Sequence, residues 1–230
     1  MKSPWLDFDF DAAEKARRYV HNLDEPTITT YNQKVKNYKY KIQTHMLPEP
    51  WVGNLDAPIV VLQANPGASE SEVNPDWLPN NFQLEAARKT LHQEPMDYPL
   101  YWLDPRLQET EGAKWSLGNM KWLINDSTLE QVANRVLLIE THSYHSRNFD
   151  PKLNSLQTQE YTKHILRESI RNEALIIALR QKNYWFTEVP ELANYWKSGK
   201  VFGVKNVQRA FLSPGNLGEY YEVILNRMKS

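Results

Sequence analysis

Pro58-Ile59-Val60-Val61-Leu62-Gln63-Ala64-Asn65-Pro66-Gly67-Ala68-Ser69 sets an apolar run directly against a polar turn. A short Val/Ile/Leu run bounded by turn residues suits a central parallel strand covered on both faces, because such a strand has no solvent side to keep polar. In open α/β sheets ligands sit just beyond the carboxyl ends of these strands. Pro66 fixes φ and biases Asn65 towards an extended backbone, while Gly67 lets the chain turn sharply or approach a ligand closely. Asn65 is therefore expected at a rigid, polar strand end. An ordinary strand-to-loop turn is the plain alternative, since Asn-Pro-Gly is turn chemistry wherever it occurs.

Working outward, Val136-Leu137-Leu138-Ile139 is a second apolar run, and it too ends in polar groups: Glu140-Thr141-His142-Ser143-Tyr144-His145-Ser146-Arg147. A third run, Ala174-Leu175-Ile176-Ile177-Ala178-Leu179, reads as strand or helix. Val207-Gln208-Arg209-Ala210-Phe211-Leu212 reads as a last strand, ending in Ser213-Pro214-Gly215-Asn216. Between these lie helical patterns: one capped by Asp11 and ending before Pro26, others over 82–93, 114–125, 159–171 and 219–227, and a short one capped by Ser127 or Thr128. The Trp115 and Trp122 side chains of the 114–125 helix read as core. Residues 98–105 read as a packed loop or lid, and Tyr195, Trp196 and Gly199 as part of a loop. Alternation of strands with helices predicts an α/β fold, a three-layer α/β/α sandwich with a central, mainly parallel four-stranded sheet. One domain over 1–230 is expected, with 1–50 as an N-terminal helical and basic/aromatic extension.

The composition narrows the classes of function. The 230 residues, 41% of them hydrophobic and 12% aromatic, suffice for a substantial core, and a formal net charge of -1 gives no global basic signature. Any nucleic-acid contact must come from a local patch. The stretch Lys34, Lys36, Lys39 and Lys41, interleaved with Val35, Tyr38, Tyr40 and Ile42, is one candidate, because lysines bind phosphates and tyrosines stack on bases. A solvated lysine face over packed tyrosines is the other reading. The absence of cysteine excludes a disulfide framework, a thiol nucleophile and any Cys-ligated metal centre. No apolar segment approaches the length of a membrane span, and no secretory leader is evident, so a cytoplasmic protein is expected, with no membrane partner.

The polar strand ends, Asn65, the 140–147 cluster and 213–216, would converge on one sheet edge and form a pocket. No Walker loop, dinucleotide fingerprint or Gly-x-Ser-x-Gly elbow accompanies them. His142 and His145 lack the nearby carboxylate pair that would favour a metal, and hydrogen-bonded histidines at a strand end are expected instead. No cofactor and no metal is called for.

These residues resemble the uracil-DNA glycosylase superfamily. Asn65-Pro66-Gly67 looks like the Asn-Pro-Gly that its mismatch-specific and single-strand-selective branches carry after the first sheet strand. Phe211-Leu212-Ser213-Pro214-Gly215-Asn216 is similar to the loop after its last strand, often His-Pro-Ser-Pro followed in one branch by Arg-Asn. The similarity runs in the same order over about 51–225, with a divergent middle. It implies a flipped base held in a pocket and cleavage of its N-glycosidic bond by a positioned water.

Carried over, Asn65 would orient the water, with His142 or His145 as a substitute polar group at the reacting centre. Gln63, Pro66, Gly67, Glu140, Tyr144 and Trp77 would surround the base. Ser69, Arg147, Ser213, Pro214, Gly215 and Asn216 would meet the nucleic-acid backbone, making DNA or a nucleobase-containing ligand the expected partner. Two positions depart from the pattern. Phe211 stands where the family's histidine would, and Glu140 where it often has an asparagine that reads uracil. An ionised Glu only accepts hydrogen bonds, so Glu140 suits the exocyclic amine of another base. The sequence thus supports either an N-glycosylase or a non-catalytic nucleic-acid, nucleotide or protein binding module on the same fold. An α/β domain whose pocket takes an unrelated small molecule is a third reading.

Overall fold

The computed structural model describes residues 1–153, 156–209 and 211–230. In order the chain runs α1 (Phe10–Ala16), α2 (Glu25–Lys34), β1 (Trp51–Val52), β2 (Ile59–Leu62), α3 (Asn81–His92), α4 (Glu111–Asp126), α5 (Leu129–Arg135), β3 (Val136–Ile139), α6 (Gln159–Arg171), β4 (Leu175–Ala178), α7 (Lys182–Glu188), α8 (Glu191–Lys197), β5 (Val201–Gly203), α9 (Pro214–Leu217) and α10 (Tyr220–Lys229). It partitions into two compact units, each built from separated stretches. The first comprises Met1–Trp51, Ala64–Pro95 and Glu140–Thr162; the second comprises Val52–Gln63, Met96–Ile139 and Lys163–Ser230.

The fold class is α/β, with a five-stranded sheet in the order β1-β3-β2-β4-β5. β2 pairs in parallel with β3, Ile59 opposite Val136, and with β4, Ile59 opposite Leu175; β4 pairs in parallel with β5. Ile59, Val60, Val61 and Leu62 are all fully buried, as their wholly apolar composition demands of a strand covered on both faces. Fully burying each such side chain is worth about 1.5–3 kcal/mol, so this short strand anchors the second unit. Gly53 comes directly after β1 at φ 129, and a Cβ there would lie 2.4 Å from the Val136 carbonyl oxygen. Only glycine fits that approach.

The sheet has five strands where four were expected, and its last strand is not 207–212. β5 is Val201–Gly203, whereas Val207 is 56% and Phe211 38% exposed. Ala210 lies outside the described residues. Val207 and Phe211 supply apolar residues without a sheet neighbour among the described residues, and Leu212 is buried outside the sheet, its N–H donating to the Asn119 carbonyl at 2.9 Å. Pro26 does not mark the end of a helix; it occupies the first turn of α2, where its missing N–H costs nothing. That helix takes in Lys34, and a 3-10 turn comes next at Tyr38–Tyr40, so the lysine stretch is not a continuous extended edge. α1 is capped by Asp9 rather than Asp11, and its carboxylate accepts from the Ala12 N–H at 2.9 Å. The Tyr195-Trp196 segment forms α8 rather than a loop.

Helices 81–92, 111–126, 159–171 and 220–229 stand close to their expected places, and Thr128 caps α5. Leu100, Tyr101, Trp102 and Leu103 are buried, as a packed loop requires, whereas Trp115 is 41% exposed and not core. Among the described residues no helix is long and apolar enough to cross a membrane.

Candidate functional site

The first unit gathers the segments that leave the carboxyl ends of β2 and β3, beginning at Ala64 and Glu140. Ala64 accepts from the Thr141 N–H at 3.0 Å, which carries the strand pairing one step past the sheet. From there 140–148 runs between two flanking segments. On one side the Ser146 N–H donates to the Pro66 carbonyl at 3.3 Å. On the other, Glu140 N–H donates to Pro50, Glu49 N–H to Ser143, Gln43 N–H to His145 and Asn148 N–H to Lys39, all between 2.8 and 3.1 Å. This lacing explains why Thr141 to Ser146 are buried although most of them are polar.

Asn65 is half-buried, and its amide is fixed by Ser146. The Nδ2 group donates to Ser146 Oγ at 3.0 Å and to the carbonyls of Ser146 and Pro66 at 3.2 and 2.9 Å. Ser146 Oγ in turn donates to the Asn148 carbonyl at 2.8 Å. With carbonyls on one side, the orientation of the amide is set, and Oδ1 accepts no hydrogen bond from the described residues. Gly67 is exposed, its φ lies outside the left-handed region, and a Cβ built there meets nothing within 4 Å. The chain's own packing does not require glycine at this position.

His145 sits behind this loop. Its Nδ1 is 2.5 Å from the Gly67 carbonyl and its Nε2 3.2 Å from Glu49 Oε1, with both side chains under a tenth exposed. The Gly67 carbonyl only accepts, which places a hydrogen on Nδ1, and the Glu49 carboxylate beside Nε2 favours the charged ring. Burial opposes that charge, but Glu49, the Gly67 carbonyl and Glu72 outweigh it and raise the His145 pKa above its usual value. His145 thus clamps the Asn-Pro-Gly loop, with its two nitrogens facing Gly67 and Glu49. His142 is the opposite case: burial, then the neighbouring His145 charge, pull its pKa down to about 4. It is neutral at pH 7, stacks against Phe149 at 5.7 Å, and its buried Nδ1 has no hydrogen-bond partner among the described residues.

The remaining residues of the expected site have other partners. Tyr144 is not a pocket wall; its hydroxyl donates to Asp24 at 2.8 Å and accepts from the His21 N–H at 3.1 Å. Asp24 also accepts from the Thr158 hydroxyl at 2.6 Å, so this buried group ties three segments together. Ser69 and Glu72 form a reciprocal capping pair, Ser69 N–H to Glu72 Oε2 at 2.8 Å and Glu72 N–H to Ser69 Oγ at 3.3 Å. Trp77 packs edge-on to His45 at 6.4 Å. Arg147 pairs with Glu70 and lies over the Tyr38 ring at 5.8 Å. Glu140 is half-buried just past β3.

Gln63, Ser213, Pro214, Gly215 and Asn216 belong to the second unit. Gln63 is buried, and its carbonyl accepts from the Trp185 indole at 3.1 Å. Ser213 caps α9, with Pro214 in its first turn, and Asn216 organises the preceding loop. Its amide donates to the carbonyls of Arg209 and Phe211 at 2.9 and 3.0 Å, and its oxygen accepts from the Asn206 N–H at 2.7 Å.

Sequence reasoning missed Glu49, the charge partner of His145, and Ser146, the anchor of Asn65. Glu49 lies between two prolines far from the cluster, and Ser146 is an ordinary serine within it; neither has a local pattern that marks it. Among the described residues no group of three or more His, Asp or Glu could hold a metal. No protein-family model, curated protein or solved structure matches the chain.

Proposed function

We propose that the Asn65 loop of the first unit serves a nucleobase hydrolase, a divergent relative of the uracil-DNA glycosylases with their three-layer α/β/α sandwich, acting on an N-glycosidic bond in DNA. One observation carries this reading. The Asn65 amide is held through its nitrogen by Ser146 while Oδ1 remains an unused acceptor at a half-buried edge. Such an oxygen can take a hydrogen from a water and aim its lone pair at a sugar carbon. In the reaction the C1′–N bond breaks, the water oxygen bonds to C1′, and the released base retains the bonding pair and takes up a proton. His145 supports this indirectly by fixing the Gly67 carbonyl, and Gly67 leaves room for close approach.

The second reading, a binding module without catalysis, is favoured by Phe211, which replaces the family's histidine and offers no donor for a departing base.

Release of free base is the test, measured on single- and double-stranded oligonucleotides carrying uracil, hypoxanthine or mismatched thymine. Release is expected from at least one substrate, and Asn65→Ala should slow it by about 100-fold or more. If none of these substrates loses its base, the hydrolase reading fails, and titration of the same oligonucleotides tests the binding module instead.

A further inference from the structure

A cavity of about 630 Å³ lies within the first unit, formed by the end of α2, the turn after it and residues 149–152. Its lining includes Tyr31, Tyr40 and Phe149, and its cations are Lys34, Lys36 and Lys152. All three lysines are exposed, and none forms an ion pair among the described residues. That sets this cavity apart from a second one in the same unit, of about 750 Å³, lined by Arg17 and Arg18. There the two arginines are already used, leaving Lys41 as the one lysine in the lining: Arg17 donates to the Pro75 carbonyl at 2.5 Å, and Arg18 is bound to Glu25, Thr29 and Thr44.

The one acid lining the first cavity, Asp150, is held by the Tyr31 hydroxyl at 2.9 Å and by the Lys152 N–H at 3.0 Å. Three lysines against one carboxylate leave a surplus of two positive charges, which suits a phosphate monoester dianion. The rings beside them provide faces on which a flat heterocycle can stack. The volume lies within the range of small-ligand sites.

We propose that this cavity binds a nucleoside phosphate, its phosphate among Lys34, Lys36 and Lys152 and its base against the Tyr31, Tyr40 and Phe149 rings. The site is separate from Asn65 and does not depend on the reading of that loop. Free nucleotides and single-stranded oligonucleotides present the same chemistry, and calorimetric titration separates them.

The probes are adenosine 5′-monophosphate, adenosine, inorganic phosphate and a deoxythymidine hexanucleotide, each added to the full chain and to a Lys34→Ala/Lys36→Ala/Lys152→Ala variant. Because these side chains are exposed and unpaired, the variant should keep the parent's thermal melt. Binding of the monophosphate that weakens at least about tenfold in the variant supports a free nucleotide as ligand. Binding of the hexanucleotide alone, with the same loss, supports a strand. Inorganic phosphate binding as tightly as the monophosphate overturns the stacking half of the proposal. No binding, or equal binding by parent and variant, overturns all of it. Base release is not read, so failure here says nothing about Asn65.

Discussion

His142 and His145 sit three residues apart, and their surroundings move their pKa values in opposite directions. The His145 pKa is raised in the folded chain, so its contribution to stability is complete below the unfolded value of 6.5 and fades as pH rises through the folded value. The His142 pKa is lowered to about 4, so its contribution is complete above 6.5 and is lost as pH falls towards that value. Together the two histidines should place a maximum of stability near pH 6.5. Urea midpoints recorded between about pH 4 and pH 9 would show it. In His145→Gln the decline on the alkaline side should flatten, and in His142→Gln the decline on the acid side. A parent curve without a maximum would remove both assignments.

At the scale of elements, two glycines make opposite predictions. Gly53→Ala, with its Cβ driven against β3 at a positive φ, should cost more than about 2 kcal/mol in chemical denaturation. Gly67→Ala meets open space at an ordinary φ, so its stability should stay within about 0.5 kcal/mol of the parent or rise slightly. If the Asn65 loop receives a substrate, the same methyl group should reduce base release by roughly tenfold, because it fills the approach. A Gly67→Ala variant that is fully active would show that nothing comes close to that backbone.

The same elements show what the sequence discloses. β2 and β3 were legible because a short Val/Ile/Leu run bounded by turn residues suits a strand covered on both faces, whereas the run that forms β4 read equally as strand or helix, since periodicity alone does not separate the two. α2 was not, since proline ends a helix or begins one with equal ease and only the capping context decides. The segment 207–212 misled for a related reason: an apolar pattern states what a strand needs, not whether a neighbour exists to meet it. At the site, Asn65 and the histidines could be picked out as polar groups at strand ends. Their partners Ser146 and Glu49 are distant in the chain, and that relationship exists only after folding.

At the scale of the whole molecule, the chain changes unit after Trp51, Gln63, Pro95, Ile139 and Thr162. Neither unit is therefore a continuous piece. A fragment starting at Met96 retains β3, β4 and β5 but lacks β2, the strand between β3 and β4. Such a fragment should show no cooperative thermal transition by circular dichroism. A sharp melt from 96–230 alone would mean that the second unit closes its sheet without its central strand.

The anchor of Asn65 also has a timing. Ser146 lies 81 residues further along the chain, and the acid facing His145 is likewise made long before the histidine it charges. On the ribosome, Asn65 emerges while the groups that orient it are still untranslated, so the loop is born unset. Any transcript cut short before Ser146 yields a chain that carries the Asn-Pro-Gly letters with no means of aiming them.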